Sequence, residues 1–360
     1  MKKAGRLICI LMALLLVMTA FSGCGGTESS APPESPASSA PESQAPESAA
    51  PESESPTGTA WAPEQQVELV VPVSPGGSTD MLARAVEAVW TKYCDQPVVV
   101  TNLSGGGGVS GAMYVASAEP DGYTLEIGFG SGHDLSMPYL QEMEYDPFEM
   151  LDPVCLLSEH VIMIGVPADS EFNSMADIVA WAEESGQPIT ASVSTANGTA
   201  DLTCQAIAYY TGLNLNIVPH DGTAGAVTDL LSGSYMICAA TPSDFLPYVQ
   251  SGQIKVIAVA SAERDPSMPE VPTLIEEGID FSAYGSIKGI ACPKGMPEEI
   301  KAYYEQLFAE ICADETFIET MQNLGQPIMY MDTEDFTQYF SDANTFYKTL
   351  IEDLGLAYYE

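Results

Sequence analysis

Positive charge is scarce in this chain. Its 360 residues hold 11 lysines and arginines against 50 aspartates and glutamates, with three histidines, for a formal net charge of −39. A polyanionic partner would be repelled, so nucleic acid is excluded. The histidines stand far apart, at His133, His160 and His220, and no CxxC or Cys/His spacing is present. A structural zinc site is therefore not expected, and no cofactor is implied. No G-x-S-x-G elbow or supported Cys/His pair appears either, which leaves a hydrolase as the weakest of three functional readings. Long apolar runs are also missing, apart from one at the start.

That run is Leu7–Phe21, preceded by Lys2, Lys3 and Arg6. It is too short for a comfortable membrane span and reads as a signal-peptide core over residues 1–23. Phe21-Ser22-Gly23-Cys24 resembles a bacterial lipoprotein cleavage box, with Cys24 as the lipidated residue and membrane anchor. An ordinary secretory signal with a structural Cys24 is the alternative. Residues 24–62 are dominated by Ser, Pro, Glu and Ala and lack the apolar side chains of a core. They read as an extended, disordered tether, roughly 100 Å long if fully stretched. With the signal removed, eight basic residues face 50 acidic ones, a net of −42.

The remaining body of about 300 residues suggests two domains. Its six cysteines, Cys94, Cys155, Cys204, Cys238, Cys292 and Cys312, are mutually distant in sequence and often flanked by apolar residues. Buried free thiols are the favoured reading, with one or two disulfides open in an oxidising compartment. Short apolar runs alternate with helical patterns. Strands are expected over 68–73, 98–102, 124–129, 161–166, 189–193, 215–218, 235–239, 255–260 and 286–292. Helices are expected over 80–93, 175–184, 200–210, 224–231, 297–312, 314–324 and 332–354. This alternation predicts an α/β fold with parallel-rich sheets and crossover helices.

In such sheets ligands sit beyond the carboxyl ends of strands, so the small-residue loops there are candidate sites. The first is Ser74–Asp80, with Pro75, Gly76, Gly77, Ser78, Thr79 and Asp80 between a strand and an amphipathic helix. Free amides at a helix start favour an anion. The missing P-loop lysine argues against nucleotide phosphate. A plain capping turn, with Ser78 or Thr79 as cap, explains the same residues. Leu103–Ala112 permits a forced G-x-G-x-x-G match but reads better as a tight turn with close helix packing. Ser192–Cys204 repeats the pattern of strand, small polar loop and helix in the second half, with Thr195, Asn197, Gly198 and Thr199 as candidates. Two such loops facing one another would make a closing clamp.

Taken in order, "PVSPGGSTDMLAR" (72–84), "QPVVVTNLSGGGGVSGA" (96–112), "PDGYTL" (120–125), "AVTDLLSG" (226–233), "SGQIKVIAVASAERDPSMPEVPTLIEEG" (251–278) and "PKGMPEEI" (293–300) resemble the substrate-binding proteins of tripartite tricarboxylate transporters, the Bug family. The resemblance implies a two-domain periplasmic-binding-protein fold of type II. One domain would comprise 63–160 and 285–360, the other 161–284, with a small organic acid in the cleft. It implies that the two loops grip a ligand carboxylate through backbone amides, small hydroxyls and water. The second loop departs from the family pattern: Thr199 stands where a serine is usual, and the following histidine is absent. Ser131, Thr241 and Asp244 are further ligand-binding candidates, all at strand ends. His133, His220 and Asp221 are weaker ones, as apt to be solvated loop residues. Arg84 and Arg264 read as ion-pair partners.

With so few cations, capture of an anion falls to preorganised short-range donors, or the ligand is zwitterionic or neutral. Asp80 carries this ambiguity. It caps its helix, or it receives an ammonium or hydroxyl of the ligand. The expected protein is a non-enzymatic, monomeric, extracytoplasmic lipoprotein, on the outer face of the bacterial cytoplasmic membrane or periplasmic. It would deliver a di- or tricarboxylate, amino acid or related acid to membrane permease subunits. A receptor signalling to a sensor kinase is the alternative.

Overall fold

The computed structural model describes residues 61–220 and 222–359. The signal, Cys24, the tether up to residue 60 and Asp221 lie outside the described residues. Trp61, the first of them, packs against Tyr123, Tyr303 and Tyr304, with ring centroids 5.2–6.2 Å apart.

The chain opens with β1 (Val67–Val71), α1 (Ser78–Trp90), β2 (Val98–Asn102), α2 (Val109–Ala116) and β3 (Thr124–Phe129). Short helices α3 (Gly132–Leu135), α4 (Met137–Leu140) and α5 (Pro147–Met150) lead to β4 (Leu151–His160). A second run follows: β5 (Met163–Pro167), α6 (Met175–Ser185), β6 (Ile189–Val193), α7 (Thr199–Thr211), β7 (Leu215–Pro219), α8 (Thr223–Leu231), β8 (Ile237–Ala240), α9 (Pro242–Gln250) and β9 (Ile254–Val259). The chain returns through β10 (Ser286–Pro293) and ends in α10 (Glu298–Cys312), α11 (Glu315–Asn323) and α12 (Thr333–Asp353).

Two five-stranded sheets result, in the orders β2-β1-β3-β10-β4 and β7-β6-β8-β5-β9. Within each, the strands joined by crossover helices are parallel, as in β1 with β2 and β3, and β6 with β7 and β8. One strand in each sheet is antiparallel to both neighbours: β10 in the first and β5 in the second. Each is the strand that has just arrived from the other sheet, so it enters at the edge where the parallel strands end. The fold is two α/β halves linked by two crossings, His160 to Met163 and Val259 to Ser286.

Burial explains the strand pattern. Val67, Leu69, Val70 and Val71 of β1 are all fully buried, as expected for a strand covered on both faces. β4 is the strand that periodicity does not reveal. Its Pro153 breaks the expected pattern, but β4 is a sheet edge, where a missing amide is tolerated. Gly111 in α2 explains the glycine-rich stretch before it: a Cβ there would sit 2.7 Å from the Leu103 carbonyl oxygen and from Pro72 Cα. That stretch is a close helix–strand contact. In β10, Gly289 leaves room for the Phe336 ring, which a Cβ would overlap. Phe336 in turn meets Phe129 edge-on at 6.1 Å, tying α12 to the first sheet.

All six described cysteines are buried and unpaired. Burial raises the thiols of Cys204, Cys238, Cys292 and Cys312. The native body is therefore expected to resist iodoacetamide, react fully once denatured, and melt at the same temperature with or without dithiothreitol. Gly289→Ala is expected to lower unfolding free energy by about 1–3 kcal/mol through overpacking against Phe336, read from denaturant titration.

Candidate functional site

The loop after β1 is built by one carboxylate. Asp80 is the third residue of α1, and its Oδ2 accepts the Gly76 amide at 2.9 Å. Its Oδ1 accepts from Asn102 Nδ2 at 3.0 Å and lies 3.4 Å from Arg84 Nε. Gly76 has φ +89, a left-handed turn suited to glycine, and Gly77 is the extended N-cap. Gly77 has no side chain to cap the helix, and among the described residues no other side chain does so. The first-turn amides, which have no partner inside the helix, thus face outward from α1. Thr79 and Asp80 are buried, while Ser74, Pro75 and Gly76 are exposed.

The loop after β6 repeats this wiring. Asp201, third in α7, accepts the Asn197 amide at 2.7 Å, and its other oxygen takes Gln205 Nε2 at 3.2 Å. Asn197 has φ +62, and Gly198 is an uncapped, extended N-cap at φ −81, ψ 175. Gly77 has φ −83, ψ 172. Thr195 accepts the Gly198 amide at 3.4 Å and so closes the turn. The two loops share a design that their differing residues hide: a left-handed residue, an extended glycine, then a buried aspartate pulling the turn shut.

The other candidates divide. Ser131 starts α3, but its hydroxyl donates to the Ile287 carbonyl at 2.9 Å. Thr241 and Asp244 form a reciprocal cap on α9: the Asp244 carboxylate accepts the Thr241 hydroxyl at 2.6 Å and its amide at 3.2 Å. His220 is held between Asp229 (2.9 Å) and the Val193 carbonyl (3.3 Å). His133 is fully enclosed, 2.8 Å from Glu126 Oε1 and 3.2 Å from Asp134 Oδ2. Burial lowers the His133 imidazole, but Asp134 and Glu126 outweigh it and raise its pKa to about 9. Burial in turn raises the Asp134 carboxyl. Ligand atoms of Glu126, His133 and Asp134 lie within 4.8 Å of one another, close enough to hold a metal ion. Asp134 also takes the Gly130 amide and the Tyr145 hydroxyl, so the trio is a buried brace under α3, with Glu126 Oε2 left without a partner. Arg84 pairs with Asp80 and Glu87, and Arg264 with Glu276.

The halves meet at these strand ends. Ser136 Oγ lies 2.6 Å from both the Gly132 and Asn197 carbonyl oxygens, so the α3 turn touches the second loop. A Cβ on Gly132 would come within 3.0 Å of Gly198 Cα. Thr199 reaches Tyr347 of α12, whose hydroxyl donates to the Tyr284 carbonyl at 2.6 Å. On the other side, Gln326 Nε2 donates to the Ser78 carbonyl at 2.9 Å, and Ser243 Oγ stands 3.5 Å from His160 Nδ1. Lys288 of β10 is wholly buried at this same edge. Periodicity leads to neither His160 nor Gln326. Lys288 did leave a signal: a lone lysine inside the apolar strand Ile287-Lys288-Gly289-Ile290.

Comparison with known proteins bears on the family and the fold. A family model described as "Tripartite tricarboxylate transporter family receptor" matches residues 82–356. A UPF0065 protein in the gbd 5' region of Cupriavidus necator is 30% identical over 295 residues, covering 82% of this chain and 89% of its own length. The solved periplasmic binding protein BugD is 26% identical, with a TM-score of 0.74 over 82% of this chain and 99% of BugD. R. palustris Rpa4515, solved with adipate, is 26% identical, with a TM-score of 0.75 over the same shares of the two chains. The fold is accordingly the two-domain, type II arrangement of periplasmic binding proteins. On the family match and the full-length likeness together, this chain belongs to the tripartite tricarboxylate transporter receptor family.

Proposed function

We propose that the protein is an extracytoplasmic receptor that closes its two halves on a small organic carboxylate and hands it to tripartite-type permease subunits. The observation that carries this reading is the pair of helix starts without a side-chain cap at Gly76–Asp80 and Asn197–Asp201, each held by an aspartate on the amide before the cap. Each presents oriented amides where a carboxylate is favoured by the helix dipole and by unpaired N–H groups. The aspartates hold the amides in place, so the grip requires no surface lysine or arginine. The adipate bound to R. palustris Rpa4515 fits the same class of ligand. In this reading Pro75, Gly76, Gly77, Ser78, Thr79, Thr195, Asn197, Gly198 and Thr199 line the carboxylate grip. Ser131, Thr241 and Asp244 frame it. Residues 63–160 with 285–360 move against 161–284 about the two crossings. Only the closed, liganded form docks productively. Cys24 carries the lipid that keeps the receptor at the membrane. No helix among the described residues is long and apolar enough to cross one. No chemical step is assigned to the protein.

A thermal-shift screen against di- and tricarboxylates, amino acids and aromatic acids tests the reading. A ligand at a hundred times its Kd is expected to stabilise the protein by about 2.7 kcal/mol. No shift with any acid would sink it. Gly77→Val is expected to fold normally, since a Cβ there meets nothing nearer than 4.0 Å. It should weaken acid binding roughly 100-fold by blocking approach to the amides; unchanged affinity in calorimetry would remove the first loop from the site. Asp80→Ala leaves the Gly76 amide and Asn102 without their acceptor. It should cost about 5- to 10-fold in affinity. Because both carboxylate oxygens are engaged, aspartate and succinate should suffer alike; a loss confined to aspartate would mean that Asp80 reads an ammonium group.

A further inference from the structure

Among the described residues, four buried side-chain polar atoms have no hydrogen-bond partner, and three of them belong to one cluster: His160 Nε2, Lys288 Nζ and Gln326 Oε1. His160 closes β4, Lys288 is the third residue of β10, and Gln326 lies between α11 and α12. All three sit at the first sheet's ligand edge. Gln326 is tied to the first residue of α1 through the Ser78 carbonyl, and His160 approaches Ser243 of α9 from the opposite half. The cluster thus spans from the first loop to the start of α9. Gln326 lies close enough to His160 to raise its pKa, although no well-formed hydrogen bond joins His160 Nε2 or Gln326 Oε1 to a partner.

The acids around Lys288 are occupied. From β4, Glu159 accepts the Gly285 amide at 2.5 Å and the Tyr339 hydroxyl. From α9, Asp244 is bound into the Thr241 cap. No carboxylate of the described residues lies within 4.0 Å of the Lys288 nitrogen. A buried ammonium with no acceptor is costly, so the amine is driven toward its neutral form until an acceptor arrives. Lys288 Nζ lies unpaired there beside one open imidazole nitrogen, His160 Nε2, and one open amide oxygen, Gln326 Oε1, a set of buried groups that an incoming polar group can satisfy.

We propose that Lys288, flanked by His160 and Gln326, is the specificity-determining residue for a second anionic group of the ligand, and that its ammonium is completed by a proton taken from solvent as that group enters. This rests on the reading of the cleft as a carboxylate receptor. The amine gains one proton from water or buffer, and the resulting ammonium hydrogen-bonds the incoming carboxylate; no other bond changes. Burial holds Lys288 down to about 7 despite the pull of Asp244 and Glu159. Burial and the Lys288 charge push His160 well below its ordinary value, with Gln326 pulling the other way, so His160 stays neutral and serves as a hydrogen-bonding flank. Above pH 7 each bound dianion must bring a proton with it, so its affinity falls as pH rises.

The test is titration calorimetry at pH 8 in two buffers of different ionisation enthalpy, with the matched pairs succinate and butyrate, glutarate and pentanoate, and adipate and hexanoate. Expected for the best diacid is uptake of about one proton, against about none for its monoacid. Lys288→Met is expected to abolish that uptake and to cut the diacid-to-monoacid affinity ratio at least about 30-fold. Its fold is checked by melting. Folding is penalised increasingly as pH falls below the unfolded lysine value of 10.5, with the full penalty at and below about pH 7, so Lys288→Met should raise the melting temperature more at pH 7 than at pH 10. If acids bind but the ratio or the proton count is unchanged by Lys288→Met, the proposal is overturned while the receptor reading stands. If no acid binds the wild-type protein, the receptor reading falls and takes this inference with it.

Discussion

The site depends on one interaction used twice: an aspartate in the first turn of a helix accepting the amide that precedes the cap. Asp80 does this for Gly76, and Asp201 for Asn197. The bond folds the strand-to-helix turn into a fixed shape. Because the cap position is glycine, no side chain competes for the helix amides. The same contact recurs where Asp134 takes the Gly130 amide and Asp177 the Asn173 amide, at 2.7 Å each. An anionic residue thereby shapes the turn: its charge is absorbed by donors behind it, and no side chain caps the amides in front, as the proposed carboxylate grip requires.

This arrangement suits a chain with a net charge of −39. Long-range attraction of an anion is out of reach, so the proposed carboxylate binding would have to come from dipoles and hydrogen bonds at contact distance. Most of the basic side chains are tied up elsewhere, as in Lys92 with Asp314, Lys294 with Asp152 and Arg264 with Glu276. Lys288 differs because it is buried, unpaired and placed where both halves meet. An ammonium formed there as the proposed ligand group enters would act more strongly on it than many on the surface, where water and salt screen them.

Much of the fold is legible along the chain. β2, β3 and β6 occupy the expected residues, and α6, α7, α8 and α10 differ from expectation by a residue or so at their ends. These elements have one apolar face or a continuous apolar run, so local periodicity reports them. β4 is not legible, because Pro153 and its mixed sequence suit an edge strand whose one partner strand in the sheet is β10. α9 is hidden by Pro242 and Pro247, the first an acceptable helix start and the second an interruption in the middle. The first loop is legible as small residues before a helix. The choice between capping and ligand contact at Asp80 is not, since it turns on Asn102, 22 residues away and on a neighbouring strand.

The sequence by itself determined the α/β class, the strand-loop-helix placement of both glycine-marked turns, and the near absence of cations. These follow from local pattern and composition. Only the tertiary structure decided that His133 and His220 are internal braces, that Ser131 is engaged with β10, and that His160, Lys288 and Gln326 share one dry cluster between the halves. The physical reason is that hydrogen-bond satisfaction is a property of neighbours in space. Whether a buried polar atom has a partner is settled by strands and loops that come together from more than a hundred residues apart.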